Sequence, residues 1–284
     1  MLVRAAPGLF VLLWSTGFIG AKLGLPYAEP LTFLSLRFAL VVALLAPFAA
    51  ALGTRWPRNT WELVHVAAAG VLLHAGYLSG VFCAIHQGLP AGVVSLIVGL
   101  QPLATAVVAP RLLGERVTPR QWLGFALGLI GVALVVWDKL RWEGIPLAGF
   151  ASAALALVSI TAGTLYQKRH GARADLAAAS LIQFTASALV LAPFAYWLES
   201  RVIVWSGEFL FALGWLVLVL SLGAISLLYL MLRRGEAARV TSLFYLTPPV
   251  TAILAWLAFG ETLGSTAIAG MGLAITGVWL VMRG

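Results

Sequence analysis

Charge is what this chain has least of. Charged residues fill 10% of its 284 positions, apolar residues 62%, and the mean hydropathy is +1.00. A soluble globular domain carries about 25% charged and about 45–50% apolar residues. The polar surface needed to cover a water-soluble particle of this size is therefore missing, and the composition is that of a polytopic membrane protein. The single cysteine, Cys83, excludes an internal disulfide and a cysteine-cluster metal site. No acid lies deep in an apolar run; all ten sit at run ends or in connections. Capture of lipophilic cations, or proton antiport on a buried carboxylate, would want one there. No Walker-type phosphate loop occurs, so ATP is not the expected energy source. The net charge of +8 is spread in twos and threes between apolar runs rather than along a stripe, which argues against nucleic acid as a partner.

What the chain does have is apolar runs of spanning length. A bilayer core of about 30 Å needs about 20 residues of helix. Runs near 6–25, 31–52, 61–84, 90–112 and 119–137 are followed by runs near 146–167, 176–198, 208–231, 239–259 and 264–282. Unpaired backbone groups are costly in lipid, so these are expected to be helices. They lack the period-2 alternation of a barrel strand. The run after Arg4 reads as a first span rather than a signal peptide, because no convincing cleavage site follows it. Orientation follows from lysine and arginine. With the N-terminus inside, thirteen cations fall on the inner side: Arg4, Arg55, Arg58, Arg111, Arg116, Arg120, Lys168, Arg169, Arg173, Arg233, Arg234, Arg239 and Arg283. Three fall outside: Lys139, Arg141 and Arg201. Both termini are expected in the cytoplasm. Trp56, Trp61, Trp137, Trp142 and Trp205 read as interface-belt residues.

Shifted by 146 residues, the chain aligns on itself without a gap. Ala46-Pro47-Phe48-Ala49 falls on Ala192-Pro193-Phe194-Ala195, Gly17 on Gly163 and Lys22 on Lys168. Pro102 meets Pro248, Thr105 meets Thr251, Gly114-Glu115 meets Gly260-Glu261, and Gly124 and Gly131 meet Gly270 and Gly277. A repeat of five spans is odd-numbered, so the second copy enters the membrane from the opposite side. The expected fold is an all-α membrane protein of ten transmembrane helices in two inverted five-helix repeats, residues 1–137 and 146–284. Inverted repeats around a midplane site are a construction of secondary transporters.

Particular motifs carry a resemblance. Trp14-Ser15-Thr16-Gly17-Phe18 with Lys22, then Pro30-Leu31-Thr32-Phe33 and Arg37-Phe38, resemble the opening of an EamA-type transporter of the drug/metabolite transporter superfamily. Gln101-Pro102-Leu103, Gly114-Glu115-Arg116-Val117-Thr118-Pro119 and Gln121-Trp122-Leu123-Gly124 resemble the signature closing each half. Tyr245-Leu246-Thr247-Pro248 with Gly260-Glu261 resembles its second-half version. The resemblance covers essentially the whole chain. It implies a ten-helix inner-membrane carrier, often an exporter of amino acids or other small metabolites. From the residues themselves, no enzymatic activity, cofactor or metal is expected.

Candidate site residues come from polar positions inside spans. Lys22 and Arg37 are the cations within spans; either could draw a substrate carboxylate, while Lys22 could snorkel and Glu29 could pair with either. His74 is the histidine at mid-depth and shares a face with Tyr77; an interhelical hydrogen bond is its bland alternative. Gln101 and Thr105 share a face of the fourth span, and Thr247 and Thr251 the matching face of the ninth. Ser15 with Lys22, and Thr161 with Lys168, mark equivalent faces of the first and sixth spans. Trp14, Tyr77 and Tyr166 are candidate aromatic walls. These residues are expected to line a central path between the first, third, fourth, sixth and ninth spans. Glu115 and Glu261 read as structural groups near helix N-termini, with Thr118 capping the fifth span and Ser265 the tenth. The expected substrate is an amino acid or related carboxylate or zwitterion, moved by alternating access, with the lipid bilayer as the other partner. An intramembrane enzyme or a passive channel are the competing readings; Ser79 and His74, five apart on one helix, make a poor catalytic pair. Two fused halves make a monomer sufficient, and a dimer is compatible.

Overall fold

A computed structural model describes residues 2–51, 54–89, 91–137, 147–171, 175–259 and 263–284. Lys139, Arg141, Trp142, Arg173, Gly260 and Glu261 lie outside the described residues. Those described are helical apart from short connections and one isolated bridge, Ala28 to Ile203.

In the first half, α1 spans Leu2–Gly24 and α2 Pro30–Ala51. The third span is α3 (Thr60–Gly70), a π-helical segment (Val71–Gly76) and α4 (Tyr77–His86). The fourth is α5 (Ala91–Val98) and α6 (Gln101–Leu113), and the fifth is α7 (Pro119–Val136). In the second half, α8 spans Leu147–His170 and α9 Leu176–Leu198. The eighth span is α10 (Gly207–Trp215), a π-helical segment (Leu216–Ala224) and α11 (Ile225–Arg234). Then come α12 (Ala237–Ser242), a 3₁₀ turn (Leu243–Leu246), α13 (Thr247–Phe259) and α14 (Ser265–Arg283).

Among the described residues, nine segments are long and apolar enough to cross a membrane. The ninth expected span is not among them; there the chain runs through α12, the 3₁₀ turn and α13. Pro248 has no N–H to donate, so the bond an α-helix would make from it back to Phe244 O is missing. The chain tightens into the 3₁₀ turn just there. Pro102 has the same effect in the fourth span, where the helix breaks at Gly99 and Leu100. A shift of 146 carries 99–100 onto 245–246. It also carries the first π segment, 71–76, onto 217–222, inside the second.

Glycines decide how closely α7 and α14 cross. A Cβ on Gly124 would lie 2.6 Å from the Gly277 carbonyl oxygen, and one on Gly131 would lie 2.6 Å from that of Gly270. Without side chains the two backbones meet directly, as small residues permit in membrane interiors. The pairing order makes the helices antiparallel.

Helix ends are satisfied by side chains. Thr118 and Gln121 form a reciprocal capping box at the start of α7, with Pro119 at its first position. Ser265 is the first residue of α14 and makes no cap; Gly264 precedes it. Glu115 caps across the halves: its carboxylate accepts from the Ala237 N–H at 2.8 Å and the Ala238 N–H at 3.3 Å. Gly114, at φ 71°, turns the chain out of α6 to bring it there. Glu199 caps α2 from the other half, accepting from the Leu31 and Thr32 backbone at 2.8 and 2.6 Å. Glu29 accepts from the backbone and hydroxyl of Ser200, so it is not the counter-ion of Arg37. The flanks are apolar and outward-facing, with Phe48, Leu189, Leu257 and Ile268 exposed as lipid contact requires. Trp56, Trp61, Trp137 and Trp205 are exposed near helix ends.

Candidate substrate pocket

A cavity with about 550 Å³ of empty space, its mouth included, lies among α1, α2, the third span and the eighth span. Trp14, Phe18 and Ala21 line it from α1, His74, Tyr77 and Phe82 from the third span, and Leu216 and Leu220 from the eighth. Arg37 enters from α2. Both π segments reach the cavity, through Leu73 and His74 in one and Leu216 and Leu220 in the other. A π segment adds a residue to a helical turn and so redirects side chains, which is why such segments recur at functional sites. Its position along the helices puts the cavity nearer the end carrying the 25–29 and 199–206 connections.

Toward the opposite end the cavity is floored by aromatic rings. Trp14 stacks on Tyr77 with centroids 6.3 Å apart and meets Phe244 edge-on at 5.1 Å. Phe10 packs against both Trp14 and Phe244.

Arg37 is the electrostatic centre. It is buried, and its Nε donates to Ser221 Oγ at 3.0 Å. Among the described residues no carboxylate pairs with it. A cation held in the membrane interior beside a cavity, without a counter-ion, is stabilised by any anion that enters. His74 stacks on Phe184 with centroids 4.2 Å apart, and its Nε2 is 3.1 Å from Tyr229 Oη. The Tyr229 hydroxyl donates in turn to Gln183, whose Nε2 donates to Gln167 at 2.8 Å.

Of the sequence candidates, the cavity gathers Trp14, Arg37, His74 and Tyr77. The others occupy seams beside it. Ser15 Oγ donates to Val11 O at 2.6 Å and lies 3.3 Å from Thr247 O, and Thr251 Oγ1 donates to Ser15 O at 3.2 Å, which joins α1 to α13. Gln101 Nε2 donates to Thr164 Oγ1 at 3.2 Å, which joins α6 to α8. Thr105 is fully buried, its hydroxyl without a partner, as is that of Thr247. Thr161 donates within its own helix to Leu157 O. Tyr166 lies 2.6 Å from His65 Nδ1 and stacks on His170, away from the cavity. Lys22 is exposed near the end of α1. Lys168 caps α11, donating to Leu232 O at 2.7 Å and Gly235 O at 2.5 Å. Sequence reasoning missed the eighth span as a cavity wall. Its lining is aliphatic and carries no polar signal; Ser221, the one hydroxyl there that touches Arg37, could have suggested it.

A multi-pass helical bundle enclosing a part-polar cavity suits a membrane transport protein. The comparisons with known proteins agree. The model of the EamA-like transporter family matches residues 8–137 and again 147–283, and the chain belongs to that family. A probable amino-acid metabolite efflux pump of Salmonella typhimurium is 29% identical over 286 residues, covering 97% of this chain and 93% of that protein. An uncharacterized transporter of Bacillus subtilis is 30% identical, covering 95% of this chain and 88% of its own length. A solved crystal structure superposes with a TM-score of 0.83 at 21% identity, over 99% of this chain and 96% of that one, which shows the shared fold.

Proposed function

We propose that this protein is an inner-membrane secondary transporter that exports a small carboxylate-bearing metabolite, an amino acid or close derivative, by alternating access between two inverted five-helix repeats. The observation that carries the reading is buried Arg37, without a carboxylate partner among the described residues, on the wall of an otherwise apolar and aromatic cavity. A substrate carboxylate would accept from its guanidinium while the body of the molecule lies against Trp14, Tyr77 and Phe82. Tyr77 and His74 supply further polar contacts. The printed names of efflux-pump relatives favour export.

Two features support alternation between inverted halves. The breaks before Pro102 and Pro248, and the paired π segments, recur at the 146-residue offset. The cavity also lies to one side of an aromatic floor, as one state of such a cycle requires. The thirteen-to-three cation count supports cytoplasmic termini, so the cavity faces outward here. One chain supplies the whole cavity, so a monomer suffices. Counterflow in proteoliposomes holding only this protein tests the reading. Labelled amino acids and apolar carboxylates should exchange across the bilayer, unaltered chemically. Product formation would make it an enzyme. Flux insensitive to Arg37→Gln for every carboxylate tested would remove the site.

A further inference from the structure

The outer cavity has an image. Moving its lining residues Phe18, Ala21 and Arg37 by 146 positions gives Thr164, Gln167 and Gln183, and moving Leu220 back by 146 gives His74. All four images are polar, and all four are buried. We propose that Thr164, Gln167, Gln183 and His74 form a second, uncharged substrate site. It opens toward the end of the bundle carrying residues 170–175, and here it is folded shut. The inference rests on the transporter reading above and adds to it the site that receives the substrate in the opposite state.

The hydrogen bonds now made by these residues are those of a closed chamber. Gln183 donates to Gln167 at 2.8 Å and accepts from Tyr229, which reaches His74. Thr164 accepts from Gln101 at 3.2 Å, yet the Oε1 of Gln101 has no partner although the side chain is fully buried. The four members bond to one another or to their neighbours, and the unmet group at this seam is the Oε1 of the adjoining Gln101, an acceptor that a ligand or water donor satisfies when the seam opens. The seams also differ in closeness. A Cβ on Gly17 would stand 3.3 Å from Leu220, whereas one on its image Gly163 would stand 2.8 Å from Leu73. Hydroxyl and amide groups can donate to a carboxylate in place of one another. At the position of Arg37 the second site holds Gln183, so it offers an amide where the first offers a charge. His74 belongs to both sites.

Cysteine accessibility in sealed membrane vesicles of each orientation tests this without a known substrate. In the full chain carrying Cys83→Ala, Thr164→Cys and Gln183→Cys should react with a sulfonated maleimide from the 170–175 end, and Ala21→Cys from the other. A minor open state populated at about 0.1–10% slows labelling about 10–1000-fold relative to a cysteine placed at Arg58. Thr164→Cys is nearly isosteric, so the test survives if Gln183→Cys fails to insert. If Phe244→Cys in the aromatic floor reacts from the 170–175 end while Thr164→Cys does not, the chain alternates along another seam and this site is overturned. If neither reacts, the transporter reading falls with it. Reaction of Thr164→Cys from the 25–29 end overturns the inner site as well.

Discussion

Phe38 and Phe184 stand 146 positions apart in the chain, and their ring centroids lie 5.7 Å apart. A residue that touches its own image in a repeat lies at the axis relating the two copies, so α2 and α9 meet there. The glycine crossing of α7 and α14 obeys the same relation, since Gly124 on Gly277 is the image of Gly270 on Gly131. The scaffold is symmetric, but the residues beside the axis are not. The neighbour of Phe38 is Arg37, and the neighbour of Phe184 is Gln183. Charge is therefore placed on one side of a fold that would otherwise treat its two ends alike.

Arg37 should control affinity for the substrate carboxylate. A hydrogen bond involving a charged group is worth about 1.5–3 kcal/mol, or about 10–150-fold in affinity. Arg37→Gln is expected to raise the apparent KM of carboxylate counterflow by that factor. Arg37→Lys keeps the charge but loses the planar donor set that also reaches Ser221, and should fall between. Equal flux by all three proteins would show that the carboxylate binds elsewhere.

His74 and Gln101 should behave differently. His74 lines the cavity, whereas Gln101 joins α6 to α8. His74→Ala is expected to weaken substrate binding by about 2–13-fold, the loss of about 0.5–1.5 kcal/mol of hydrogen bonding. Its buried ring also stacks on Phe184, so the substitution lowers the midpoint of unfolding in detergent as well, and the binding loss is read from a smaller substrate-induced rise in that midpoint. Gln101→Ala should lower the midpoint but leave the substrate-induced rise intact, as it removes only an interhelical bond. Thermal-shift curves with and without substrate separate the two effects.

Much of this fold was legible in the sequence, because lipid imposes simple rules on composition and cation placement. The Pro102 and Pro248 breaks could be anticipated from the missing N–H. The π segments could not. Apart from His74 and Gly76 in one and Ser221 and Gly223 in the other, their sequences are ordinary aliphatic helix and carry no signal for a widened turn. Trp14, Arg37, His74 and Tyr77, which line the cavity, could be picked out because polar or aromatic groups stand out in apolar helices. Ser15, Gln101 and Thr251 stand out equally and bond to neighbouring helices instead, while the Thr247 hydroxyl has no partner. Residue type alone does not distinguish a group aimed at a ligand from one aimed at a neighbouring helix.

The clasp between the 25–29 and 199–206 connections should be acid-sensitive. The Ser200 hydroxyl bonds to Glu29 and holds its carboxyl below the ordinary value of 4.5. A carboxyl lowered in the folded state contributes stability above its unfolded pKa, and that contribution is lost as pH falls through the lowered value. The thermal midpoint of the wild type should therefore exceed that of Glu29→Gln at pH 7, and the gap should close as the pH drops below about 4.5. A gap unchanged at pH 3 would show that the carboxylate form is not what ties the loops.

The glycines of α14 give the sharpest test of the packing. Gly272 and Gly277 lie one and a half turns apart on the same helix, and an alanine at either gains about 0.8–1 kcal/mol of helix propensity. Their surroundings are opposite. A Cβ on Gly272 meets nothing within 4 Å. A Cβ on Gly277 would lie 2.5 Å from both the Gly124 carbonyl oxygen and the Gly128 nitrogen, which belong to backbone and cannot rotate aside. Relieving such a clash means separating α7 from α14, and overpacking of this kind costs about 1–3 kcal/mol. Gly272→Ala should hold or raise the thermal midpoint in detergent, and Gly277→Ala should lower it. Gly131→Ala should repeat the loss, since residue 131 is the image of 277 and its Cβ would lie 2.5 Å from the Ala274 nitrogen. If Gly272→Ala and Gly277→Ala shift the midpoint alike, propensity alone governs and the two helices do not meet backbone to backbone.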